Sequence, residues 1–245
     1  MASPSRGELL VHAARELSAC VDALRFSRPI THWYNPLMYA AEPHERYLRT
    51  WGDRRKSVLF VGMNPGPWGM AQTGIPFGEV ATVRDWMGIE GRVTAPEHLH
   101  PKRPIQGFAC ARSEVSGRRL WGLMRNRFGT AKAFFSRHFV ANYCPLVFME
   151  ESGRNRTPDK LQAGEGMALF DACDRHLARV IETLEPEWVI GVGKYAEGRL
   201  RKVVGESSGG PQVAGIIHPS PANPTANRAW EEIVTRSLRA LEVWD

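Results

Sequence analysis

The sequence predicts an α/β protein built on a four-stranded parallel sheet covered by helices, and three observations carry that prediction. Four short apolar runs lack polar alternation, as strands buried on both faces do: SVLFVGMN at 57–64, HFVANY at 138–143, WVIGVG from Trp188 and VAGII from Val213. Segments with apolar residues at three- and four-residue spacing alternate with them, the pattern of strand and crossover helix. The third is length, since 245 residues can bury a sizeable core, and residues 1–245 are read as one domain.

In chain order, residues 8–25 (ELLVHAARELSACVDALR) carry helical spacing and predict an amphipathic outer helix. The run 57–64 then ends at Pro65 and Gly66, as a central strand entering a loop does. From Pro65 to about Gly107 the chain is rich in Gly, Pro and His without periodicity, and so long an irregular stretch inside a domain is usually functional. Ser116 is placed to cap a helix over GRRLWGLMRNRF. The strand 138–143 stops before Cys144 and Pro145. A helix over 168–184 leads to the strand at Trp188, a helix over YAEGRLRKVV leads to the strand at Val213, and that strand delivers His218. Asn223 suits an N-cap with Pro224 at the first helical position, opening a last helix to about Leu241.

Ligands of parallel sheets bind outside the carboxyl ends of the strands. Asn64, Asn142 and His218 each stand just past a different predicted strand, so one rim can gather them although no local pattern links them. Taken singly, an Asn beside Pro supports a turn and a lone His satisfies a local hydrogen bond. Together they offer amide donors, amide acceptors and a histidine, which suits the polar edge of a heterocycle.

Composition narrows the classes further. With 43% hydrophobic and 24% charged residues the chain is of ordinary globular type. The excess of 32 Lys+Arg over 26 Asp+Glu, net +6, favours polyanions without requiring them. Cys20, Cys110, Cys144 and Cys173 form no CxxC pair and have no histidine at ligand spacing, so they read as four buried thiols of a reducing compartment. No signal-peptide core and no run of 18 apolar residues is present, so an intracellular, soluble protein is expected. GVGKYAEG at 191–198 begins like a dinucleotide loop but spaces its last glycine wrongly, and His44, His98 and His100 lack a carboxylate to anchor a metal. No metal and no cofactor is expected.

Longer motifs carry a resemblance that composition cannot. GMNPGPWGMAQTGIPFGEV at 62–80 and HPSPANPTANRAW at 218–230 resemble the single-strand-selective monofunctional uracil-DNA glycosylases, and SEVSG at 113–117, NYCPL at 142–146, SGRNRTP at 152–158 and VIGVGKYAE at 189–197 do so in the same order. The match runs from about Trp51 to Trp230. It implies a three-layer α/β/α uracil-DNA glycosylase fold, base-excision repair of uracil in single- and double-stranded DNA, and action as a monomer without strand cleavage. Its site would be cytoplasmic in a bacterium and nuclear in a eukaryote.

The resemblance also implies roles. Asn142 would read the base, Phe77 would stack on it, Met63 and Gly66 would line the pocket, His218 would stabilise the departing anion, and Asn64 would orient water. Gly66 stands where uracil-only relatives carry a bulky aromatic, which implies room at C5 and excision of 5-hydroxymethyluracil and similar oxidised pyrimidines. A glycine there for backbone reasons alone is the plainer reading. Pro219, Ser220, Pro221, Ala222 and Asn223 would press on DNA, with Lys194 and Arg154, Arg156 and Arg228 near phosphates. Ala222 departs from vertebrate members, whose arginine there fills the gap left by the flipped nucleotide, and this puts duplex activity in doubt. The rival readings are a lesion binder without turnover and an unrelated enzyme acting on small nucleotides.

Overall fold

The computed structural model describes residues 3–162, 164–205 and 209–245. Seven strands, β1 (Ile30–Tyr34), β2 (Val58–Gly62), β3 (His138–Asn142), β4 (Val147–Glu150), β5 (Asn155–Arg156), β6 (Trp188–Val192) and β7 (Gln212–Ile216), are found among the described residues. They alternate with helices α1 (Arg6–Asp22), α2 (Pro36–Tyr39), α3 (Ala41–Trp51), α4 (Met70–Thr73), α5 (Val115–Phe128), α6 (Ala131–Phe135), α7 (Gly166–Leu184), α8 (Lys194–Val204) and α9 (Pro224–Ala240).

The four apolar runs form the expected parallel sheet, in the order β3-β2-β6-β7. Every residue of β2 is buried, because it lies inside the sheet with helices over it. Gly62 pairs with Asn142 and Val192 with Ile216, so neighbouring strands end level and hand their next residues to one rim. A second, antiparallel sheet of order β1-β4-β5 lies beyond the sequence reading. Its strands are two to five residues long, and β4 starts five residues after β3 ends, too close to show as a run of its own.

Helix α1 packs its Leu10, Val11, Ala14, Leu17 and Val21 stripe against α3 and α7. Cys20 falls off that stripe and is exposed, whereas Cys110, Cys144 and Cys173 are buried, so the expectation of four buried thiols is corrected at Cys20. Helix α5 begins at Val115 with Glu114 at its N-cap and no side-chain cap bond among the described residues, which corrects the capping role given to Ser116. Asn223 caps α9 as expected, its Oδ1 accepting from the Thr225 and Ala226 amides, with Pro224 at the first turn. The irregular stretch after β2 is held together by Gln72. Its buried amide donates to the Pro67 and Pro104 carbonyls and accepts from the backbone of Gln106 and Gly107, tying both ends of the loop into one body.

Candidate active site

The pocket at the carboxyl rim has a volume of about 490 Å³. Its walls come from the loop after β2 (Met63 to Trp68), Phe77, the start of α5, Asn142 at the end of β3, and His218, Ser220 and Pro221 after β7. The three residues singled out by their places at the carboxyl ends of strands therefore do share one cavity, together with Met63, Gly66 and Phe77.

Gly62 makes the floor possible. A Cβ there would overlap Asn142 Oδ1 and stand 2.5 Å from Phe77 Cε2, so the absent side chain leaves the volume in which amide and ring meet. Phe77 is 8% exposed and holds a left-handed φ of 54°, a conformation costly for an aromatic residue. Its carbonyl accepts from Trp121 Nε1 at 3.1 Å, and Gly117 lets α5 approach that same carbonyl. Helix α5 thus fixes the ring through its backbone.

Asn142 donates through Nδ2 to Met70 Sδ at 3.2 Å, a weak acceptor, while its buried Oδ1 has no partner among the described residues. A buried acceptor left unmatched costs about 1–3 kcal/mol, which a ligand N–H in this pocket would relieve. Asn64 donates to the Leu146 carbonyl at 3.1 Å and, more weakly, to that of Pro65. Both its amide protons are spoken for, and Oδ1 remains as an acceptor.

His218 is locked as one tautomer. The Ser220 amide donates to Nδ1 at 3.1 Å, which leaves the ring proton on Nε2 as a donor. Burial pushes its pKa down to about 4, so the ring is neutral at physiological pH. Gly193, at φ 97°, lies where a Cβ would be 3.2 Å from His218 Cβ, so the turn before α8 backs the imidazole directly. The ring stands 6.1 Å from that of Phe77, tilted by 40°.

The DNA-facing residues expected from the loop do not all reach the surface. Pro221 and Ala222 are exposed, Ser220 and Asn223 are partly so, but Pro219 is buried, its carbonyl accepting from Arg119 Nη1 at 3.0 Å. Lys194 is exposed at the start of α8, beside Gly193 and outside the pocket wall. Arg154 and Arg228 are exposed, whereas Arg156 is engaged by Glu150 at 2.8 Å and by the Lys160 carbonyl. On the pocket's edge, Trp68 carries Arg112 4.3 Å and Arg103 5.4 Å from its ring centroid.

Glu114 was missed. Its carboxylate fills the places where side chains at Gly66 and Gly69 would project, so the room expected beside Gly66 is bounded by a carboxyl group. The paired glycines three positions apart were legible as residues, but their neighbour lies 48 residues from Gly66 in sequence, so nothing local announces the contact.

Parallel sheet, rim pocket and aromatic floor define an α/β protein with a polar-edged site at the carboxyl ends of its strands. The sequence model of the uracil DNA glycosylase superfamily matches residues 50–239. The single-strand selective monofunctional uracil-DNA glycosylase of Rattus norvegicus is 47% identical over 225 residues, covering 92% of this chain and 81% of that protein. The counterpart from Bos taurus is 47% identical over 218 residues, 89% of this chain and 80% of its own. The chain belongs to the single-strand-selective monofunctional uracil-DNA glycosylase family. In fold it also matches the crystal structure of Pedobacter heparinus SMUG2, with a TM-score of 0.66 at 18% identity over 95% of this chain and 99% of that one.

Proposed function

We propose that the pocket receives uracil, and also 5-hydroxymethyluracil and related oxidised pyrimidines, flipped out of DNA, and that the enzyme hydrolyses the N-glycosidic bond to leave an uncut abasic site. The observation that carries this reading is the buried, unpartnered Asn142 Oδ1 beside the Phe77 ring. Uracil offers N3–H to that oxygen and O4 to Nδ2, while its face stacks on Phe77. Cytosine offers the reverse pattern and would leave two buried groups unmatched, a penalty of several kcal/mol.

Cleavage at C1′ develops a sugar cation and a base anion. The Nε2–H of the neutral His218 is the donor for the charge growing on O2, and because the ring is already tied to the Ser220 amide it needs no reorganisation at that moment. Asn64 Oδ1 holds the attacking water; an amide orients it without acting as a strong base. No lysine is found in the pocket wall among the described residues, so a Schiff base has no amine there and hydrolysis ends at the abasic site. The loop Pro219 to Asn223, with its exposed tip at Pro221 and Ala222, meets the DNA backbone. Ala222 is too small to fill the gap in a duplex, so single-stranded or mispaired uracil, which costs least to extrude, is the better substrate. No described helix is long and apolar enough to cross a membrane.

End-labelled oligonucleotides bearing uracil or 5-hydroxymethyluracil, single-stranded or paired with G or A, provide the test. Alkali-labile sites should appear without added metal, be lost in Asn142→Ala, and form faster on single strands. Binding without product would instead favour a lesion binder, and cleavage of free dUMP an enzyme of small nucleotides.

A further inference from the structure

We infer that Glu114 is a specificity-determining residue of this site, its carboxyl group forming the wall at the C5 edge of the base and hydrogen-bonding polar substituents there. The inference rests on the pyrimidine reading above.

Three glycines are arranged around this one side chain. A Cβ at Gly66 would overlap Glu114 Oε1, a Cβ at Gly69 would overlap Oε2, and one at Gly117 would stand 3.4 Å from Oε2. The loop after β2 and the first turn of α5 therefore close around a carboxyl group rather than around each other, and Glu114 is itself part of the pocket wall. It is also the N-cap residue of α5, yet its side chain makes no capping bond to that helix among the described residues. The side chain is turned toward the cavity instead.

Elimination assigns the edge it faces. With Asn142 on N3 and O4, His218 on O2 and Asn64 toward C1′, the C5 edge is the part of the base left without a polar partner, and among the described residues Glu114 is the one acidic residue lining the pocket. A substituent hydroxyl can both donate and accept, which matches a carboxyl group whose pKa is raised to about 7 by burial, with nearby Glu79 adding to the rise. A methyl group in the same place would strip the carboxyl of water and return no hydrogen bond, so thymine is disfavoured by the same contact.

The test compares kcat/KM for single-stranded oligonucleotides carrying 5-hydroxymethyluracil or uracil, in the wild type, Glu114→Met and Glu114→Asp. Methionine keeps the length without the hydrogen bonds; aspartate withdraws the carboxyl by one methylene. The ratio of the two substrates should fall at least tenfold in each variant that retains a cooperative melting transition. An unchanged ratio in either folded variant overturns the proposal, as does an equal loss on both substrates, which would make Glu114 a base for the attacking water. Failure of the wild type to release 5-hydroxymethyluracil overturns the lesion reading and this proposal with it, whereas release by the wild type with an unmoved ratio overturns this proposal alone.

Discussion

Arg119 on α5 donates to the Pro219 carbonyl at 3.0 Å and, through its second guanidinium nitrogen, to Asn227 Oδ1 at 2.9 Å. Asn227 in turn donates to the Pro221 carbonyl at 2.8 Å. One planar cation thus fixes the loop after His218 to the helix that also holds Phe77 by its carbonyl. Floor and donor of the pocket are set by the same helix.

Removing that brace should therefore cost activity. Charged hydrogen bonds of this kind contribute about 1.5–3 kcal/mol each, and Arg119→Ala is expected to lower kcat/KM on uracil DNA roughly tenfold or more. Lysine cannot span both acceptors with fixed geometry, so Arg119→Lys should recover little. Full activity in the alanine variant would mean the prolines alone hold the loop.

His218 acts as a neutral donor in this account. An NMR titration of its ring should give a midpoint near 4, well under the ordinary 6.5, because burial disfavours the imidazolium. His218→Ala should cost roughly a hundred- to a thousandfold in kcat, as loss of one donor to a developing anion does. A midpoint at the ordinary value, or a loss of only tenfold, would demote it.

Gly62→Ala tests the floor. The added methyl would overlap Asn142 Oδ1 and press on the Phe77 ring. Overpacking of this kind costs about 1–3 kcal/mol of stability, and here it also displaces both groups that contact the base, so excision should drop at least a hundredfold while the protein still melts cooperatively. Wild-type rates in this variant would separate the floor from catalysis.

The parallel sheet was legible because β2, β3, β6 and β7 are unbroken apolar runs, and the rule that sites form past such strands was enough to bring Asn64, Asn142 and His218 together. The antiparallel sheet was not, since ITHWY and VFME are too short to separate from loops by period. Arg119 and Glu114 escaped for a different reason. Both act on partners far away in sequence, and a charged residue in the first turns of an amphipathic helix reads as solvated until its neighbours are known. Cys20 could have been placed correctly, since Leu17 and Val21 define the inward stripe of α1 and leave residue 20 outside it.

Acid should weaken the fold through His138. Its Nε2 accepts from Trp244 Nε1 at 3.2 Å while Nδ1 faces the Phe134 carbonyl at 3.1 Å, a pairing only the neutral ring can make, and burial lowers its pKa to about 4. His44, buried with Nδ1 2.7 Å from the Gly74 carbonyl, is lowered to about 4 in the same way. Below pH 6.5 the unfolded chain takes up these protons and the folded one does not until about 4, so stability falls as pH drops through that window. Each histidine contributes at most about 1.4 kcal/mol per pH unit to the slope. Urea denaturation at several pH values should show the decline, and His138→Gln should reduce the slope by about one proton. A stability that stays level from pH 6.5 to 4.5 would mean that these rings accept protons inside the folded protein, with the Trp244 contact opening to admit them.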